Sequence, residues 1–285
     1  MNFLKNIFKN KRIAIAYSKI YYIIDRVKIE LFLFLKKLQG FALLTKSNCK
    51  ETINTKKRIC HIIGSGDSLN RSKSLIKEND FVMGFNFSAL AEINFDLYMI
   101  EFYGENCKNI SDKQLKVIER FLNPSAKIIL KHSLHKRNDF NYLRKNYRNK
   151  KLLILKEVLV KCLSVDSHKY ICKKLLLKTE TFNQFSSSLI VALDIAFKLD
   201  FDKIILHGVD LEGPYFFQNN NYLKEFYPFD SINYKKLKNN KSHQVNEGQF
   251  SLERTLNYLS LSNDFKRVFT GTKNKKLSNL FDQYE

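Results

Sequence analysis

The sequence predicts an α/β protein built on a doubly wound, mostly parallel sheet. Three observations lead there. Short apolar runs rich in β-branched residues recur along the chain, bounded by Gly, Asn or Asp. Segments with apolar residues at helical spacing alternate with them. The 285 residues are 44% hydrophobic and include 24 Phe and 14 Tyr, enough for a packed core in one large domain or in one domain plus an appendage.

The first core element lies in "KRICHIIGSGDSLN", Lys57 to Asn70. The run Ile59–Ile63 reads as an interior strand. Gly64 and Gly66 then let the backbone turn sharply and come close to whatever lies above the strand end. Asp67 or Ser68 can cap a helix starting there, whose free N–H groups attract an anion. An ordinary strand-to-helix turn is the plainer reading of the same residues. "SLNRSKSLIKEN" is a short helix or turn, "DFVMGFNFSAL" a second strand ending near Asn86, and "FDLYMIEF" a third ending at Glu101. "SDKQLKVIERFLN" has helical spacing behind a Ser-Asp cap. "AKIILKHSL" and "KKLLILKEVLV" are strand candidates. "SSSLIVALDIAFKLDF" is a helix by period and feeds "DKIILHGVDLEG", a strand ending in Gly208-Val209-Asp210. "SLERTLNYLSLSND" is helical, "KRVFTGT" a strand and "KKLSNLFDQYE" a closing helix. Ligands of such sheets sit at the carboxyl ends of strands, so Gly64–Ser68, Asn86, Glu101, Asp210 and Thr270–Thr272 are expected to converge on one cleft.

Two regions fall outside this alternation. Residues 1–50 are rich in Lys and Arg, poor in acids, and carry clusters of Phe, Ile, Leu and Tyr. They lack the uninterrupted apolar core of a signal peptide or a membrane span. They read as a basic amphipathic helical extension able to lie on an anionic membrane surface, ahead of a polar linker from about Thr45 to Lys57. Packing on the body or on a second subunit, as in a homo-oligomer, is the other reading of the same pattern. Residues 213–249, approximately, turn polar and aromatic; they read as a lid over the cleft or as a disordered tract. The body then spans 57–285.

The formal net charge of +21 points to anionic partners: nucleic acid, an acidic membrane surface or a phosphorylated substrate. Lys- and Asn-rich codon usage is the plain explanation for part of it. No helix-turn-helix, zinc finger or RNP-type motif is present, and the basic residues concentrate near the N-terminus, so no nucleic-acid partner is expected. "GSGDSL" is not a P-loop, which counts against a nucleotide-binding phosphotransferase or pyrophosphokinase. Five cysteines without C-x-x-C spacing indicate neither a disulfide framework nor a zinc site, and fit a cytoplasmic setting.

The order of these motifs resembles the bacterial sialyltransferases of glycosyltransferase family 42, which cap lipooligosaccharides using CMP-sialic acid. Gly64-Ser65-Gly66-Asp67-Ser68 stands where that family has Gly-Asn-Gly-Pro-Ser, and Asn86 where its second strand ends in a donor-contacting asparagine. Glu101 falls on the polar end of the third strand, where the family has asparagine. Ser187 and Ser188 fall on the Thr-Ser-Gly contact, with Phe185 at the preceding arginine position, and Gly208-Val209-Asp210 matches the Gly-Ile-Asp strand end. A lid with Tyr215 and Tyr222 and a Ser-His segment, "KSHQVNEG", follow. The likeness runs from about Lys57 to the C-terminus. It implies a GT-A-like, Rossmann-like nucleotide-binding domain. It also implies a CMP-sugar donor carrying sialic acid or a related nonulosonic acid, and a cell-surface glycan acceptor such as lipooligosaccharide or capsule. Such an enzyme would be peripheral at the inner face of the bacterial inner membrane.

Transfer from a CMP-sugar needs a base for the acceptor hydroxyl and help for the departing phosphate. His243 titrates near neutrality unaided, whereas Glu247, at the family's base position, needs burial to raise its pKa. Tyr215 and Tyr222 are the expected phosphate partners, with aromatic packing as their plain role. Asp210 could orient the cleft or cap the next turn. No Asp-x-Asp stands at a strand end, and a single phosphate can be met by hydrogen bonds and a helix N-terminus. Neither a metal nor a cofactor is therefore expected.

Overall fold

The structure, a computed structural model, describes residues 10–101, 108–131, 152–162, 164–174, 176, 178–185, 187–211, 215–226, 251–272 and 276–285. Its centre is an eight-stranded sheet: β1 (Ala42–Leu44), β2 (Ile59–Ile63), β3 (Phe81–Phe85), β4 (Leu97–Ile100), β5 (Lys127–Leu130), β6 (Leu152–Leu155), β9 (Lys203–His207) and β10 (Val268–Thr270). The strands run in the order β1-β6-β5-β4-β3-β2-β9-β10, every neighbouring pair parallel. Successive residues of a strand face opposite sides of a sheet, yet all of Phe81–Phe85 and Leu97–Ile100 are buried. Both faces are therefore covered, which is why these strands read as continuous apolar runs rather than alternating ones. The predicted doubly wound parallel architecture is the observed one.

Connectivity fixes where a ligand can sit. From β2 the chain winds outward through β3, β4, β5 and β6, then returns to the other side of β2 with β9 and β10. The order thus reverses between β2 and β9. A crevice opens above the carboxyl ends of strands at such a reversal, because the connections leave in opposite directions.

The helices are α1 (Lys11–Leu38), α2 (Cys49–Ile53), α3 (Leu69–Ser72), α4 (Lys108–Phe121), α5 (Val165–Lys174), α6 (Ser188–Leu199) and α7 (Leu252–Ser260). A small second sheet pairs β7 (Glu157–Leu159) with β8 (Phe182–Gln184). Helix α1 is capped by Asn10, whose side chain accepts from the Arg12 and Ile13 N–H groups. Its inner face buries Ala14, Ser18, Tyr22, Asp25, Ile29 and Leu33. Tyr22 Oη lies 2.9 Å from Thr181 Oγ1, and Asp25 accepts the Leu159 N–H at 2.8 Å. Ile29, Leu33, Leu44, Cys49 and Ile53 belong to the same core as the sheet.

Several expectations are corrected. The stretch expected as a polar linker from Thr45 to Lys57 contains α2, because Cys49 and Ile53 turn inward and Lys46 pairs with Asp194 at 2.7 Å. "KKLLILKEVLV" is two strands broken at Lys156: β6 completes the large sheet, and β7 turns away to β8. Helix α4 starts at Lys108, so the Ser-Asp pair expected to cap it lies inside the helix. The closing segment is not helical. Leu277 and Phe281 are buried, while Thr270 exchanges backbone hydrogen bonds with Asp282 and Tyr284, so the chain end covers the open edge of β10.

Candidate active site

The carboxyl ends of five adjacent strands place Lys131, Glu101, Asn86, Gly64 and Gly208 in a row, one strand spacing apart. The expected strand ends Gly64–Ser68, Asn86, Glu101 and Asp210 thus lie side by side along one edge of the sheet, with Thr270–Thr272 following β10 beyond β9.

At the reversal point two loops lie against each other. The Gly64 N–H donates to His207 O at 2.7 Å, and the Gly66 N–H to Gly208 O at 2.8 Å. A Cβ on Gly66 would fall 2.6 Å from Asp210 Oδ2 and 2.9 Å from Gly208 O, so only glycine permits this approach. Gly208 itself has φ +61, a left-handed conformation. Asp210 accepts the Ser68 N–H at 2.8 Å, which fixes the turn into α3. Asp210 thus ties the glycine loop to the end of β9. Ser65 O accepts from the Phe216 N–H at 3.0 Å, and Tyr215 bridges Gly66, bringing the start of the expected lid onto the loop. The Tyr215 ring stacks on Phe217 at 5.2 Å, and burial pushes its hydroxyl up to about 12. It is accordingly a neutral hydrogen-bonding phenol at any working pH. Tyr222 lies apart, 62% exposed on the 3-10 turn Asn221–Phe226 and bonded to Arg120 of α4.

Asn86 follows β3 in the left-handed region, φ +59, which asparagine tolerates better than other side chains. Its carbonyl accepts from Tyr98 Oη at 2.6 Å and from Gln114 Nε2 at 3.2 Å. Asn86 Oδ1 and Gln114 Oε1 are buried with no hydrogen-bond partner. Two such acceptors at a strand end call for a donor, because an unmet buried amide oxygen is costly.

A polar cluster stands at the start of α6. Ser187 caps that helix, accepting the Leu189 N–H at 3.2 Å. The next residue, Ser188, donates to Glu101 Oε2, whose other oxygen accepts from Gln184 Nε2 at 2.9 Å. Lys131, fully buried, reaches Glu101 at 3.1 Å and Ser188 Oγ at 3.1 Å. A carboxylate of the chain therefore sits against the hydroxyl and ammonium groups at this helix end, and it compensates the burial of the Lys131 cation. Lys131, Gln184 and Gln114 escaped the sequence reading. Their signals were a lysine directly after an apolar strand and a glutamine on the buried stripe of α4.

Beneath the reversal point runs a relay of buried side chains. His61 Nε2 lies 2.9 Å from Asp80 Oδ2, and His61 Nδ1 2.8 Å from His207 Nε2. The carboxylate can only accept, so His61 carries its proton on Nε2 and accepts from His207 Nε2–H. Burial holds His207 down to about 3, leaving it neutral.

His243 and Glu247, the two candidate bases, lie outside the described residues. Among the described residues no three His, Cys, Asp or Glu side chains group as metal ligands would.

No protein-family model and no curated protein matches the chain. Solved structures do. Sialyltransferase CstII from Campylobacter jejuni, in complex with CMP-3FNeuAc, is 15% identical; the match covers 81% of this chain and 87% of that one, with a TM-score of 0.44. A monomeric CstII structure gives 15%, 81%, 86% and 0.44 in the same order. The apo α-2,3-sialyltransferase from Campylobacter jejuni gives 15%, 81%, 82% and 0.42.

Proposed function

We propose that this chain is a glycosyltransferase that uses a CMP-linked sugar, of the sialic or related nonulosonic acid class. The acceptor is a cell-surface glycan assembled at the inner face of the bacterial inner membrane. One observation carries the reading. The strand order reverses between β2 and β9, and there a backbone approach that only glycine permits lies beside an asparagine with an unmet buried acceptor. The order of motifs around that point, from Gly64 to the Ser-His segment, supports CMP over other nucleotides.

Each group then has a stated task. Ser65 offers its backbone N–H and, with Ser68, a hydroxyl to the phosphate end of the donor, while Gly64 and Gly66, whose own N–H groups are bonded to His207 O and Gly208 O, let the loop come close and Asp210 holds it. Asn86, Glu101, Ser187 and Ser188 face the sugar side. Tyr215, a neutral phenol against the glycine loop, donates to the departing phosphate, whereas Tyr222, exposed and bonded to Arg120, is given no part in the transfer. His243 takes the acceptor proton, with Glu247 orienting it. No metal is assigned, since one phosphate can be met by hydrogen-bond donors.

The test is ligand-induced stabilisation followed by transfer. CMP at about 100 times its dissociation constant should add about 2.7 kcal/mol, or about 5–10 °C in Tm. Turnover with a CMP-nonulosonic acid should survive EDTA. Stabilisation by ATP and not CMP would replace this reading with the phosphotransferase one, and a strict Mn²⁺ or Mg²⁺ requirement would defeat the metal-free site.

A further inference from the structure

Among the described residues, ten of the thirteen exposed large apolar side chains lie on α1. They are not scattered. At about 100° per residue, Ile13, Ile20, Ile24, Val27, Leu31 and Leu38 fall on one stripe, opposite the face that packs on the body. Val27 and Leu31 are each 65% exposed and Leu38 71%. A helix that buries one face needs no second apolar face, and water-facing apolar area of this extent on one element marks an interaction surface.

The borders of the stripe identify the occupant. Arg12, Lys19, Arg26 and Lys37 run along one side and Lys28 stands on the other, all exposed. The two acids of α1 are both engaged elsewhere: Asp25 is buried against the Leu159 N–H, and Glu30 pairs with Lys156 at 2.5 Å. A second copy laid stripe to stripe would set these basic borders against one another with no acid to answer them. That copy as a whole would also carry the same net charge of +21. An anionic lipid surface answers both features together, apolar side chains entering the acyl boundary and basic ones meeting headgroups. No helix among the described residues is long and apolar enough to cross a membrane, and the stripe from Ile13 to Leu38 runs along about 38 Å of α1.

We infer that the outward stripe of α1 is a docking surface for an anionic membrane, held rigidly to the catalytic body by its inner face. Tyr22 on that inner face meets Thr181, which leads through β8 into Ser187 and Ser188. Docking therefore fixes the candidate site relative to the bilayer instead of tethering it loosely. The inference deepens the membrane location proposed above and is independent of the donor.

The experiment is co-sedimentation of the full chain with mixed phosphatidylglycerol–phosphatidylcholine vesicles and with phosphatidylcholine alone. Binding to the mixed vesicles should exceed binding to phosphatidylcholine by at least about tenfold. Ile20→Asn, Ile24→Asn and Leu31→Asn together should weaken it about 100-fold while Tm stays unchanged, since those side chains are exposed. Arg12→Gln, Arg26→Gln and Lys37→Gln together should remove the preference for phosphatidylglycerol. Full-length protein left in the supernatant with mixed vesicles overturns the inference. So does a dimer in sedimentation velocity that the Asn variant dissociates without any change in vesicle binding. CMP-induced stabilisation, measured on the same variants, reports separately on the donor reading.

Discussion

Acidification from about pH 8 to about pH 5 should destabilise this protein by about 2.5 kcal/mol through groups that are buried, not exposed. Burial first of all holds His207 down to about 3 and His168 to about 4, from an ordinary 6.5. The unfolded chain therefore takes up protons before the folded one. Stability is complete above about pH 6.5 and is lost as the pH falls toward the folded-state values. At about pH 5 each histidine accounts for about 2 kcal/mol of loss. His61 is lowered too, again by burial, and acts in the same direction. Asp194 opposes them: burial raises it to about 6 from 3.8, so its native form gains a proton first as the pH falls. That returns about 1.5 kcal/mol at about pH 5, which leaves the net figure. Tm should drop by about 5–10 °C over this range, followed by circular dichroism. His207→Gln keeps a donor toward His61 but cannot take up the proton, so it should shrink the drop by about 2 kcal/mol. A Tm that stays flat to pH 5, or an unaltered drop in His207→Gln, would refute the neutral buried relay.

Three further outcomes are expected. Gly66→Ala pushes a methyl to 2.6 Å from Asp210 Oδ2 and should abolish CMP-induced stabilisation with the fold retained; an unchanged CMP shift moves the site elsewhere. Lys131→Met alone should cost about 3–5 kcal/mol in urea unfolding, and adding Glu101→Met should recover most of it, whereas additive losses would dissolve the buried pair. His243→Ala should cut kcat by about 10²–10⁴ with CMP binding unchanged; full turnover there with a dead Glu247→Gln makes Glu247 the base.

What the sequence displayed and what it hid follow from one physical distinction. Buried parallel strands are legible because both faces need apolar residues, so "ICHII", "FVMGF" and "KIILH" announce themselves, and glycine at 64 and 66 marks a close approach no other residue allows. Elements whose position is decided by tertiary partners are not. "KEVLV" has the composition to extend β6, and only pairing with Phe182–Gln184 draws it into another sheet. The chain end has helical spacing, but backbone bonds to Thr270 and the burial of Leu277 and Phe281 outweigh it. The site divides in the same way. Its backbone half was readable as a glycine turn at a strand end. Its charged half was not, because Lys131, Glu101 and Ser188 come from places 87 residues apart at the widest hydrogen bond and meet only when β4, β5 and α6 are assembled. The consequence reaches the chemistry: an acid at the end of β4 reads in isolation as a charge offered to the donor. In the folded chain it is half of an ion pair with Lys131 and is bonded to Ser188 and Gln184, so this strand end presents a neutral, hydrogen-bonded face rather than a lone carboxylate.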